Sequence, residues 1–220
     1  MVRSRGAKSV ALKRNTSGHP GGRATVPRSL PRAARGAQAR VLRIIGGAWR
    51  GRKLRFPRDA DIRPTPDRVR ETLFNWLAAR VPGARCLDLF AGSGALGLEA
   101  LSRGAAQVTF IEHDTAAARE LHARLAEWGA QGGEVERADA LRYLEGAARP
   151  FDVVFLDPPF ASPLLGAAAA LLEERGWLAP GALIYVESAA RGGLPPLPPR
   201  WAALKAKQAG EVGYHLFART

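Results

Sequence analysis

A chain of 220 residues, 46% of them hydrophobic, is long enough to bury one good-sized core with a small appendage. The single cysteine, Cys86, excludes a disulfide framework and a cysteine-rich zinc site. No apolar run approaches the ~20 residues of a membrane span and the N-terminus lacks a signal-peptide core, so a soluble, intracellular (cytoplasmic) protein is expected.

The net charge of +13 is unevenly spread: residues 1–40 carry ten Lys/Arg and no acid, leaving +3 for the remainder. That segment is rich in Gly, Pro, Ser and Ala without hydrophobic periodicity, and it reads as a disordered tail. Three accounts of it stand open: an arm held on nucleic acid by counterion release, an organellar transit peptide, or the product of a start codon assigned too far upstream.

In chain order, Val41–Ile45, the Gly46-Gly47 bend and Lys53–Phe56 predict a β-hairpin whose loop sets Arg50, Arg52 and Lys53 beside Trp49. Thr65-Pro66-Asp67 predicts a helix start, with Thr65 as N-cap and Pro66 at the first helical position. Val69, Leu73, Phe74 and Leu77 recur at helical spacing, which marks one buried face. From Arg85 onward, short apolar strands alternate with helices. Strands are expected at Cys86–Leu89, Val108–Glu112, Val135–Asp139, Phe151–Leu156 and Ala182–Glu187, and helices to about Arg103 and over Thr115–Trp128 and Pro163–Arg175. The chain closes with Trp201–Lys207 and Tyr214–Arg219 as an antiparallel pair. This is an α/β, Rossmann-like pattern: a mostly parallel seven-stranded sheet with an antiparallel C-terminal hairpin. The expected divisions are the tail at 1–40, a hairpin-and-helix extension at 41–82 and a catalytic domain at 83–220.

Two motifs carry chemistry. Gly92-Ser93-Gly94-Ala95-Leu96-Gly97 follows a strand and opens a helix, with Glu112 some 20 residues on. Alone it fits a nicotinamide dinucleotide as well as S-adenosylmethionine. Asp88, at the end of the preceding strand, favours the second, because a pyrophosphate there would meet a carboxylate whereas an ammonium and a sulfonium would gain from one. Glu112 is placed for the ribose hydroxyls and Asp139 for the adenine amine. Phe90, Ala91, Gly92, Ser93, Gly94 and Gly97, with His113 and Ala140 beside the acids, complete the expected cofactor contacts.

The second motif is Asp157-Pro158-Pro159-Phe160, directly after an apolar strand. The lone pair of an exocyclic amine on a base is delocalised into the ring. Acceptors at the Asp157 carboxylate and the Pro158 carbonyl would draw it out as a methyl group arrives. Pro158 and Pro159 fix the backbone and remove competing N–H donors, and Phe160 offers a face for an extruded base, worth ~1–3 kcal/mol. No metal is needed, and His19, His113, His122 and His215 show no ligand grouping. Methylation of adenine N6 or cytosine N4, a nicotinamide-dependent oxidoreductase, and a non-catalytic RNA-binding module remain as alternatives.

Arg43–Gly47, Trp49–Leu54, Arg63-Pro64-Thr65, Asp67–Leu77, Asp88–Ala100, the Asp157–Phe160 tetrad, Leu183–Ser188 and Gly210–Tyr214 together resemble the RsmD family across residues 41–219. Those are bacterial methyltransferases that modify N2 of one guanine in 16S ribosomal RNA. The resemblance implies S-adenosylmethionine as cofactor and 16S RNA, or the assembling small subunit, as partner. It gives Asp157–Phe160 the base-binding role, and Asp88, Glu112 and Asp139 the cofactor roles. It makes Arg50, Arg52, Lys53, Arg63 and Arg70 candidates for phosphate contact. A monomer is the default expectation.

Overall fold

The computed structural model describes residues 40–56, 65–159 and 162–220. The expectations for the tail before Arg40, for Arg63 and for Phe160 therefore lie outside the described residues.

Strands β1 (Arg40–Arg43) and β2 (Lys53–Phe56) pair antiparallel, as the sequence predicts. Their bend docks on the last residue of helix α2 (Ala95–Ser102). Ala48 N–H donates to the Ser102 carbonyl at 2.7 Å, Trp49 N–H to Ser102 Oγ at 2.9 Å, and Ser102 Oγ to the Gly46 carbonyl at 2.6 Å. The hairpin thus supplies partners that a helix C-terminus otherwise lacks. The approach demands glycine: Gly47 has φ 75°, and a Cβ there would lie 1.8 Å from the Ser102 carbonyl oxygen.

Helix α1 spans Asp67–Trp76 and buries Val69, Leu73 and Phe74, with Leu77 just beyond it also in the core. Its start differs from the expected one. Pro66 is the N-cap residue and makes no side-chain cap bond; its carbonyl accepts from the N–H groups of Val69 and Arg70. Thr65 does not cap the helix, because its hydroxyl is taken by an acceptor 92 residues away.

The main sheet contains β3 (Arg85–Asp88), β4 (Gln107–Glu112), β5 (Gly133–Arg137), β6 (Phe151–Leu156), β7 (Leu178–Ala189), β8 (Trp201–Ala209) and β9 (Val212–Arg219). Its order is β5-β4-β3-β6-β7-β9-β8, parallel from β5 through β7 and antiparallel at β9 and β8. The sequence reading of a parallel sheet closed by a hairpin is borne out. The order reverses between β3 and β6, which opens a crevice at their carboxyl ends.

Helices α1, α2 and α3 (Thr115–Glu127) pack on one face, and α4 (Ala140–Leu144) and α5 (Leu164–Glu174) on the other. The hairpin residues Leu42, Ile44 and Leu54 share a single core with α1, α2 and the sheet residues Phe110 and Phe155. The opposite core centres on Trp177, whose ring lies 4.8 Å from that of Tyr143 and whose Nε1–H donates to the Leu144 carbonyl. Cys86 is fully buried, and burial pushes its thiol up to about 12, as suits a core residue. No described helix is long and apolar enough to cross a membrane.

Candidate active site

A cavity of about 1060 Å³ opens over the carboxyl ends of β3, β4, β6 and β7. That is at the upper end of what a small-molecule site occupies, so it has room for a base beside a nucleoside cofactor. The sequence singled out four of its acids. Asp88 ends β3, Glu112 ends β4 and Asp157 follows β6, all on the cavity wall; Asp139, exposed, caps α4 at the rim by accepting from Arg142 N–H at 3.0 Å.

The glycine loop is held from two sides by carboxylates. Asp88, 2% exposed, accepts from the Gly97 N–H at 2.9 Å. Glu112 accepts from Gly92 N–H at 2.7 Å through Oε2 and from Asp114 N–H at 2.8 Å through Oε1. Each oxygen keeps a second lone pair for a ligand hydroxyl. His113 stands with Nδ1 3.2 Å from Glu112 Oε1 and its ring exposed. Gly92 and Gly94 adopt φ 52° and 74°. Phe90, Ala91, Gly92, Ser93 and Ala140 line the cavity, whereas Gly94 and Gly97 shape the loop from behind. A Cβ at Gly97 would sit 2.2 Å from Phe110 Cε1, so this glycine permits close packing of helix on strand.

Burial pushes the Asp88 carboxyl up to about 7; the Gly97 N–H opposes the rise and the charge of Glu112 adds to it. A cationic ligand group would reverse that penalty.

Asp157 is half-buried, with its carboxyl drawn inward to Thr65, whose hydroxyl donates to Oδ2 at 3.2 Å. Burial, then the nearby charge of Glu187, hold Asp157 well above the usual carboxylate range. Pro158 is buried and Pro159 exposed. The Pro159 carbonyl is taken up within the turn, accepting from Ser162 N–H at 3.1 Å and Ser162 Oγ at 2.6 Å.

Among the cavity residues that the sequence did not single out are Thr65, assigned to a helix cap, and Glu187, assigned no role. Glu187 had a usable signal, since it too lies towards the carboxyl end of an apolar strand, as Asp88 and Glu112 do. It is 2% exposed and accepts from the Tyr185 hydroxyl at 2.8 Å.

The basic candidates divide. Arg50 and Arg52 are exposed on the hairpin loop and Lys53 at the start of β2. The Arg52 guanidinium lies 5.3 Å over the Trp128 ring, which meets Trp49 edge-on at 5.4 Å. Arg70 departs from the expectation: it is fully buried, donates to the Arg43 carbonyl at 2.8 Å and to Asp67 Oδ1 at 2.6 Å, and faces Glu99 at 3.5 Å. It has no surface to offer a phosphate; it ties the hairpin to α1 and α2. Among the described residues no group of His, Cys, Asp or Glu could hold a metal ion.

The family model described as Conserved hypothetical protein 95 matches residues 42–218. Ribosomal RNA small subunit methyltransferase D of Escherichia coli (strain K12) is 53% identical over 178 residues, 81% of this chain and 90% of that protein. The protein of the same name in Haemophilus influenzae is 47% identical over 180 residues, 80% of this chain and 93% of its own length. A solved Escherichia coli chain described as the methyltransferase yhhF superposes with a TM-score of 0.76 at 51% identity, covering 81% of this chain and 98% of its own. Sheet order, glycine loop and acid-lined crevice thus define a methyltransferase of the Rossmann-like class. That removes the oxidoreductase alternative. The chain belongs to the family of ribosomal RNA small subunit methyltransferase D.

Proposed function

We propose that this chain transfers a methyl group from S-adenosylmethionine to the exocyclic N2 amine of a guanine in 16S ribosomal RNA. The observation that carries the reading is Asp157, held by Thr65 at the carboxyl end of β6 in the same cavity as the carboxylate-pinned glycine loop. The site fits the cofactor: Asp88 suits an ammonium, Glu112 the ribose hydroxyls, Asp139 the adenine amine, and the glycines a close backbone approach. When bound, the cofactor supplies an electrophilic methyl group on a sulfonium.

The chain's own residues do the rest. Asp157 accepts a hydrogen bond from the target amine and the Pro158 carbonyl accepts a second, which localises the nitrogen lone pair in line for transfer. Phe160 stacks on the extruded base. Arg50, Arg52 and Lys53, with Arg63, contact RNA phosphates and set its register on the surface. The division into a basic tail, a hairpin extension and a catalytic domain belongs to the same reading. So do a monomeric, cytoplasmic enzyme and a substrate that is either naked 16S RNA or the assembling subunit.

Labelled methyl transfer to ribosomal RNA and to small subunits from a strain lacking the gene tests this directly. Label in 2-methylguanosine supports it; label in an adenine or cytosine product overturns the base assignment.

Cofactor affinity is expected to depend on pH through Asp88. A cationic group favours the ionised carboxylate, so the affinity of S-adenosylhomocysteine should rise up to about tenfold per unit as pH climbs towards 7, then level off. Complex formation below pH 7 should release protons, seen calorimetrically in buffers of different ionisation heat. For folding the sign is opposite. The raised carboxyl favours the folded state below the ordinary carboxylate range, and that contribution is lost as pH rises through about 7. A flat affinity profile, or one unchanged in Asp88→Asn, would remove Asp88 from the cofactor site.

A further inference from the structure

Strand β8 is the outer edge of the main sheet, and every residue from Ala202 to Gln208 is exposed. Its register breaks midway. Trp201, Ala202 and Ala203 pair with Arg219, Ala218 and Phe217, but the next pair is Lys205 with Leu216. Leu204 is therefore an extra, bulged residue, and it is 49% exposed. Residues directly opposite on antiparallel strands share a face. Trp201 and Phe217 belong to the core that contains α5, and an unbroken strand would turn Lys205 and Lys207 to that same side. One extra residue moves both across the sheet. They lie instead opposite Leu216 and Tyr214, on the side of α1, whose Trp76 stacks on Tyr214 at 5.6 Å.

That is also the side on which the N-terminal hairpin packs. β8 runs towards the cavity, and Ala209 and Gly210 at its end line the wall. Lys207 thus stands about 7 Å along the strand from Ala209, and Lys205 about 14 Å. Neither lysine has an ion pair or hydrogen bond among the described residues. Residues 188–210 carry Arg191, Arg200, Lys205 and Lys207 and no acid, a charge of +4 where residues 41–220 together carry +3. Lysines on an edge strand also deter strand pairing, but a charge of either sign does that. An all-positive stretch, re-aimed by a bulge beside the cavity mouth, suits a polyanion.

The geometry points to β8 as a second RNA-contacting surface, on which Lys205 and Lys207 hold phosphates of the strand that carries the target base. The inference rests on the reading of this chain as an RNA methyltransferase. Such contacts carry no sequence information; they fix the backbone next to the cavity while a base enters it.

Binding of the full chain to poly(U) and to ribosomal RNA from a strain lacking the gene, measured over a range of salt, tests this. Lys205→Glu/Lys207→Glu should weaken both at least about tenfold and flatten the plot of log affinity against log salt by about 0.7 per lysine. Lys205→Gln/Lys207→Gln should fall between. In methyl transfer, KM for RNA should rise far more than kcat falls, with S-adenosylhomocysteine affinity and the urea midpoint unchanged. Unchanged salt slopes in the Glu pair, with self-association appearing only in Lys205→Ala/Lys207→Ala, would make the lysines edge guards and overturn the inference. Unchanged slopes on naked RNA with weaker binding to small subunits would assign the surface to a ribosomal protein and overturn it too. RNA binding without methyl transfer by the unaltered protein would count against the proposed function alone, and the salt slopes would still decide β8.

Discussion

Asp157→Ala is expected to lower kcat for methyl transfer by about 10²–10⁴-fold while leaving cofactor affinity within a few-fold. The asymmetry follows from position. Asp157 sits at the end of β6 with its carboxyl on Thr65, whereas the glycine loop is pinned independently by Asp88 and Glu112. Alanine removes the proposed acceptor for the amine without releasing the loop. Asp157→Asn keeps one acceptor oxygen but cannot take a proton, so it should fall between the two. Single-turnover rates and calorimetric titration of S-adenosylhomocysteine separate the effects. An alanine variant retaining more than about a tenth of the normal rate would sink the assigned mechanism.

The second large effect lies away from the chemistry. Glu99, fully buried in α2, accepts from Ile45 N–H at 2.7 Å, Gly46 N–H at 2.8 Å and Arg103 Nε at 2.7 Å, and faces Arg70 at 3.5 Å. Removing it leaves two backbone donors without an acceptor and takes from the buried Arg70 guanidinium one of its two carboxylate neighbours. Breaking a buried pair in this way costs about 3–5 kcal/mol, a large share of the ~5–15 kcal/mol that holds a domain folded. Urea denaturation of Glu99→Ala should show that loss, and the amides of Ile45 and Gly46 should lose exchange protection first. RNA affinity should weaken more than cofactor affinity, because the hairpin loop carries Arg50 and Arg52. Arg70→Met/Glu99→Leu should recover part of the stability, since the fully buried guanidinium goes with its carboxylate, while the Ile45 and Gly46 amides still lack their acceptor. A cost below about 1 kcal/mol in Glu99→Ala would mean that apolar packing and the Ser102 hydrogen bonds hold the hairpin without it.

What the sequence disclosed follows the range of the forces involved. The strands were legible because buried parallel strands are written as apolar runs: Phe151–Leu156 was read with the bounds the structure has. β7 begins earlier than expected, at Leu178, because its first residues pair with Phe151 before the register shifts. Helix α4 was missed; five residues are too few for a period to show, and only the Asp139 cap marks it. Thr65 followed a sound local rule that a distant acceptor overrode. Arg70 was a different kind of miss. Arg70, Leu73, Phe74 and Leu77 lie at i, i+3, i+4 and i+7, so spacing alone set the arginine on the buried face. Its charge suggested surface, and Asp67, the Arg43 carbonyl and Glu99, 29 positions on, together make the burial tolerable.

All eight residues of α2 are buried, and its two ends hold different things: the glycine loop at one and the hairpin bend at the other. An eight-residue helix is about 12 Å long. With no free face it cannot tilt without repacking both neighbours, so it behaves as a gauge block. The span from the methyl-donor loop to the hairpin is fixed by a count of residues rather than by any contact with the substrate. If the hairpin loop holds the RNA backbone as proposed, an RNA with its target base and held backbone spaced differently could touch either end, but not both together.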